Sequence, residues 1–398
     1  RRYSWAMDRL FKDAKYANNR SLIAAICCAA VCGIVFGLSM PLISLRLEEM
    51  TGSGLMVGLN GAAAALSTLV IAPLVPRLMA VMPPRQLLVV SLVGAAGLFT
   101  LLPVFPVVLM WFLLRFLIGC FMTVIFVISE SWINQIVSPD RRALMLGVYG
   151  TALSGGFGIG GLFFSALHGA GDTAFYLGAA IFLSGIVPIL LLQGPQATPP
   201  DAASTSLPSL MRTAFIAPTA ILAGLAFGAT ETLLYSMLPV YGERIALDHA
   251  TIGLMVLAVA LGALVFQIPI GWVADKTSRR GTLVWIAGIA TIAAILACLV
   301  GNNTLLLLPI LFVQSGVVSG LYTVGLSLLG ERFTGGAIAA ANATFIFAYG
   351  VGSLAGPPAA GITMDAVGPW GLPIVLASIT GAYVIVVLLR TAFGGAKS

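Results

Sequence analysis

Apolar runs long enough to cross a bilayer recur from one end of this chain to the other. That recurrence limits the fold more than any motif does. Each crossing needs about 20 residues of helix. Twelve runs can be marked, near residues 21–45, 54–76, 86–105, 107–133, 143–167, 173–192, 213–240, 251–274, 281–300, 304–329, 338–363 and 370–390. Composition agrees: the chain is 59% hydrophobic and only 9% charged, too little charge to cover a soluble protein of 398 residues. Short loops join the runs and leave no room for a soluble catalytic domain, so no enzymatic activity is expected.

A net charge of +6 would suggest nucleic acid in a soluble protein, but its placement gives another answer. With both termini in the cytoplasm, 17 of the 20 lysines and arginines fall on the cytoplasmic side. Arg46 and Arg244 remain outside, and Arg115 lies within a run. This is the positive-inside bias of a multi-pass protein, and it supports an even number of crossings. The basic charge is therefore topology, and no nucleic-acid partner is expected.

The rest of the chain divides simply. Residues 1–20 place Tyr3, Met7, Leu10, Phe11, Ala14 and Ala17 at helical spacing among charges. They read as a short amphipathic helix on the inner surface or as a basic flank that fixes orientation. They lack a signal peptide's apolar core and cleavage site, and native residues are expected to precede Arg1. Residues 193–212 hold Pro195, Pro199, Pro200 and Pro208 among small polar residues and read as a cytoplasmic linker. The linker separates six runs (21–192) from six (213–390), with a tail at 391–398.

The two halves repeat each other. Tyr149-Gly150 opens a glycine-rich run through Gly156 to Gly161; Tyr349-Gly350 opens another through Gly356 to Gly361. Gly119 through Glu130 matches Gly320 through Glu331 at an offset of 201, and Pro41 lies opposite Pro239 at 198. So small a drift implies one duplicated unit, a pattern found in transporters. Ala152, Gly156 and Gly160 share a helix face, as do Gly352, Gly356 and Ala360, and small residues let membrane helices approach closely. Pro357 and Pro358 remove backbone donors and are expected to bend their helix.

Motifs borrowed from soluble proteins fail here. Gly156 to Gly161 contains a GxGxxG match, but no strand precedes it. Cys27, Cys28, Cys32, Cys120 and Cys298 lie in apolar runs with no histidine near, and read as packing residues. No metal site and no cofactor is expected.

Several segments resemble signatures of the major facilitator superfamily, across essentially the whole chain. Gly271-Trp-Val-Ala-Asp275-Lys276-Thr-Ser-Arg279-Arg280 resembles that family's loop signature GxLaDrxGrr, although Pro76 replaces the aspartate in the first-half equivalent. Arg115-Phe-Leu-Ile-Gly119 is similar to its RxxxG signature. Ala152 to Gly161 resembles gxxxGPxxGG with Phe157 in place of proline, and Gly352 to Gly361 matches it better. Ser129-Glu130-Ser-Trp132 and Gly330-Glu331-Arg332-Phe333 resemble the YcaD-like bacterial transporters. The resemblance implies an all-α polytopic fold of twelve transmembrane helices in two pseudo-symmetric six-helix bundles. It also implies alternating access around a cavity lined by helices 1, 4, 7 and 10.

Against that background few charges need explaining. A charge at the bilayer centre costs roughly 2.5–3.5 kcal/mol on insertion scales, so an intramembrane ion is read as functional. Glu231 lies in the seventh run among Ala, Leu, Phe and Gly, with Tyr235 one turn away. It is the candidate proton carrier or contact for a cationic substrate; a structural ion pair is the alternative. Arg115, taken to lie at similar depth, must pair with Glu231, an anionic substrate group or backbone carbonyls. Gln267, Gln314 and Tyr322 are further polar candidates for the cavity.

Asp275, Arg279, Arg280, Glu331 and Arg332 cluster at cytoplasmic helix ends. By resemblance they form a charge latch for the outward-facing state, weaker in the first half, which keeps Glu130, Arg77, Arg141 and Arg142. A solvated inner face is the alternative.

The expected function is a proton-coupled secondary transporter of a small organic compound. It is expected to act as a monomer in a bacterial cytoplasmic membrane, with export favoured over uptake of a metabolite or vitamin. A non-transporting sensor or scaffold is the reading from another class.

Overall fold

The computed structural model describes residues 2–137, 139–167, 170–192, 215–333 and 336–394, with the backbone alone at 2–18, 134, 139–144, 146, 332, 336–340 and 391–394. The linker expected at 193–212 and the end of the tail lie outside the described residues, as do the side chains of Arg141, Arg142 and Arg332.

The described chain is helical. Helix α1 is Arg2–Thr51, α2 Gly54–Ile71, α3 Val75–Val81, α4 Pro84–Val104, α5 Val108–Ile136, α6 Pro139–Leu167, α7 Thr173–Ser184 and α8 Ile186–Leu191. Then come α9 Pro218–Arg244, α10 His249–Lys276, α11 Arg279–Val300, α12 Thr304–Arg332, α13 Gly336–Val367 and α14 Gly371–Gly394. Several starts carry side-chain caps that satisfy free backbone donors. Ser53 accepts from the Met56 N–H, Asp248 from Thr251 and Ser278 from Gly281. A 3-10 turn at Ala72–Leu74 separates α2 from α3, where Pro73 and Pro76 withhold two donors.

Eleven stretches among the described residues are long and apolar enough to cross a membrane. The last, Ala341–Arg390, holds both α13 and α14, joined by a 3-10 turn at Gly368–Trp370 whose first glycine sits at φ +75°. That left-handed conformation suits glycine, and it lets the chain turn back without an intervening polar loop. At the other end, the residues read as a separate surface helix continue unbroken into the first span as α1. The helix also continues through Pro357 and Pro358 to Val367.

The repeat in sequence is a repeat in packing. In the first half α1 packs on α6, α4 on α5 and α2 on α5; in the second, α9 packs on α13, α11 on α12 and α10 on α12. The halves meet through α2 against α13 and α6 against α10, again an equivalent pair. Glycines set the closest approaches. A Cβ on Gly156 or Gly160 would run into the backbone of α1 at Ala30 to Leu38, and one on Gly352 or Gly356 into α9 at Leu225 and Ala229. Large aromatic residues such as Trp111, Trp132 and Phe345 are buried between helices. Ile268, Trp285, Leu299 and Leu305 are largely exposed, as apolar side chains facing lipid should be.

Candidate functional site

Glu231 is the 14th of the 27 residues of α9, so the helix carries it to mid-span. Its Oε2 accepts a hydrogen bond of 2.9 Å from the Tyr349 hydroxyl of α13. Because α9 and α13 are a glycine-packed pair, that partner is fixed by the same contacts that join the helices. Glu231 also lines a small cavity with Phe227, Tyr235, Ser315 and Ser319, whose free space is about one water in this conformation.

Aromatic rings surround the carboxylate. Phe227 packs 5.3 Å from Tyr322 and 5.6 Å from Tyr349, between ring centres. Tyr235 meets Phe157 of α6 at 4.2 Å, and Phe157 packs in turn on Phe36 of α1. The Phe157–Tyr235 contact brings together one ring from each half beside Glu231's helix. Phe157 is the residue that stands where the family signature has proline.

Arg115 is not brought to Glu231. It occupies the eighth position of α5, about two turns from the helix start, so it does not share the mid-span level expected for it. Its guanidinium donates to the Met40 sulfur at 2.7 Å, and its buried Nε has no partner among the described residues. Gln314 is almost fully buried with both amide atoms unpaired, while Gln267 is exposed on α10. Tyr322 joins the aromatic cluster through Phe227 and Phe345.

The residues read as a cytoplasmic latch pair within one half. Arg279 lies 2.7 Å from Glu331 and 3.6 Å from Asp275, and it also donates to the Ser327 carbonyl. Glu130 and Arg77 are exposed.

A second charged cluster, of which only Arg244 was singled out in the sequence as an outer basic residue, lies at the opposite end of the helices. Arg244 at the end of α9 pairs with Glu48 of α1 at 2.6 Å and with Asp365 of α13 at 2.8 Å, and donates to the Met364 carbonyl. Asp365 also accepts from the Gly54 and Leu55 N–H groups and the Ser53 hydroxyl at the start of α2. A carboxylate is well placed at a helix N-terminus, where free donors and the helix dipole favour negative charge. Four helices from both halves thus converge on one ion cluster. Ser44 donates to the Ser236 carbonyl, and Ser165 to that of Ala250, toward the same end. Opposite charges near the ends of the first, seventh and eleventh runs were the available signal.

Fold and site together define a polytopic helical membrane protein with a half-buried carboxylate at mid-span and one end joined across the halves by ion pairs. The model of the Major Facilitator Superfamily matches residues 25–248 and 220–394, so the chain belongs to that family and is a membrane transporter by family. Among its relatives, the uncharacterized MFS-type transporter YfkF of Bacillus subtilis is 24% identical over 344 residues, covering 84% of this chain and 86% of that protein. The uncharacterized MFS-type transporter YcaD of Escherichia coli is 26% identical over 285 residues, covering 71% and 72%. Two solved structures share the fold at 14% identity. The nucleoside transporter NupG has a TM-score of 0.71, covering 94% of this chain and 98% of that one. A bacterial homolog of the human lysosomal transporter Spinster, inward-facing and unoccupied, has a TM-score of 0.70, covering 95% and 96%.

Proposed function

We propose that this chain is a secondary active transporter that exports a small organic compound across the bacterial cytoplasmic membrane in exchange for protons, with Glu231 as the coupling group. Twelve crossings form two six-helix bundles that rock about the Glu231 level, and the protein acts as a monomer. The observation that carries the reading is Glu231 itself. It is a carboxylate at mid-span whose hydrogen-bond partner is a neutral tyrosine and which faces a cavity. A carboxylate so placed offers one site at which proton uptake and substrate release can exchange.

With both termini in the cytoplasm, the sealed Glu48–Arg244–Asp365 end is outer and the state described is inward-facing. Asp275, Arg279, Arg280, Glu331 and Arg332, with Glu130 and Arg77 opposite, are then the inner gate that closes when the outer cluster parts. The partnerless Nε of Arg115 favours one second reading, uptake of a compound whose acidic group it would hold.

Purified protein in liposomes with an imposed pH gradient and a panel of labelled compounds tests the proposal. Gradient-driven flux that Glu231→Gln abolishes is expected. Undiminished flux in that variant would remove Glu231 from coupling, and absence of flux for every compound would favour a scaffold.

A further inference from the structure

We infer that the cavity at Glu231 selects an organic cation with an apolar or aromatic body. The inference rests on that cavity being the transport site and adds the chemistry of what enters it.

Charge comes first. Glu231 accepts from Tyr349 and forms no ion pair among the described residues. In the second half, Arg244, Lys276, Arg279, Arg280 and Arg390 all stand at or near helix ends, away from its level. Arg115, about two turns into α5 and off the mid-span level, is turned onto Met40. A negative group in low dielectric without a resident cation repels anionic ligands and attracts a positive one.

Surface chemistry comes second. Aromatic faces attract cations through their ring quadrupole, more strongly where water is excluded; Phe227 and Tyr235 line the cavity, and Tyr322 and Tyr349 pack on Phe227. The same walls offer little to a polyhydroxylated ligand. The Ser315 and Ser319 hydroxyls already donate to backbone carbonyls of the second half, at 2.7 Å each. With those protons committed the serines can only accept, so the acceptor oxygens of a sugar-like molecule would find no serine donor, which is costly in a buried site. In the present conformation the cavity is nearly closed, so entry requires the rings to part.

Labelled phenyltrimethylammonium provides the probe, with binding to the purified full chain measured without any gradient. Its neutral carbon analogue, tert-butylbenzene, and benzenesulfonate serve as competitors of similar shape. Saturable binding is expected, with either competitor at least about tenfold weaker than unlabelled probe. Glu231→Gln should weaken it by roughly tenfold or more, Phe227→Ala by a smaller factor, and Glu231→Asp should retain it. Equal competition by tert-butylbenzene, or unchanged binding in Glu231→Gln, would overturn the inference. If Glu231→Gln does not fold, the competitor series and Glu231→Asp on folded protein decide. Charge-selective binding without gradient-driven flux would sink the transport reading and spare this one. Glu231-dependent flux of neutral compounds without cation binding would do the reverse.

Discussion

The two ends of the molecule carry similar charged residues but use them differently. At one end Arg244 reaches across from the second half to Glu48 of the first, and Asp365 caps the start of α2. At the other end Arg279, Glu331 and Asp275 pair inside the second half. Exposure sharpens the contrast. The Arg244 and Glu48 side chains are 18% and 14% exposed, against 27% and 48% for Arg279 and Glu331. Partial burial strengthens an ion pair and makes loss of one partner costly, whereas exposed pairs contribute little. One end is therefore fastened across the halves, and the other holds charges in reserve.

The largest expected effect comes from wedging the fastened end. A Cβ on Gly361 would run into the Gly54 carbonyl, whereas one on Gly330 at the other end meets nothing within 4 Å. Gly361→Leu should cost at or above the top of the roughly 1–3 kcal/mol typical of overpacking, because rigid backbone must move. Gly330→Leu should leave thermal stability unchanged or slightly raised. Equal melting temperatures for the two variants would break the comparison.

Arg244→Ala should come next. It removes the cation shared by Glu48 and Asp365, at roughly 1–3 kcal/mol, below the cost at a fully buried site. The readout is labelling of a cysteine placed at the buried Ser44 by a membrane-impermeant maleimide, which should accelerate. An unchanged rate would mean that the cluster does not hold this end shut.

Asp365→Asn should act in the same direction but less, because an amide oxygen can still accept from one of the Gly54 and Leu55 N–H groups, which bond Oδ1 and Oδ2 in turn, while the charge toward Arg244 is lost. Comparing its labelling rate with that of Arg244→Ala separates capping from ion pairing. The smallest effect belongs to Arg279→Ala, about 0–1 kcal/mol with no change in Ser44 labelling.

Much of this was legible in the sequence, because membrane solvation leaves strong marks. Apolar run length gave the spans, and lone charges pointed to Glu231 and Arg115. The small-residue faces named the positions that pack on α1 and α9. What was not legible depends on distance across the fold. Tyr349 was noticed as the start of a repeat, yet its hydroxyl reaches a carboxylate 118 residues away, which periodicity does not encode. Arg115 was expected at the level of Glu231, yet the run from 107 already set it only about two turns into a helix that starts at Val108. Arg244 was counted only as an outer charge, and nothing local to it shows that its helix end meets Glu48 and Asp365. The turn at Gly368–Trp370 falls at the break marked between the runs 338–363 and 370–390, although no long polar loop separates α13 from α14.

The most direct test is a pair of distances read by double electron–electron resonance in lipid nanodiscs. One spin-label pair sits at Met56 and Thr363 beside the fastened end, the other at Val81 and Thr277 near the opposite end. Arg244→Ala should lengthen the first distance and shorten the second in the same molecules, as two bundles rocking about Glu231 require. A change at one end without the reciprocal change at the other would contradict the account.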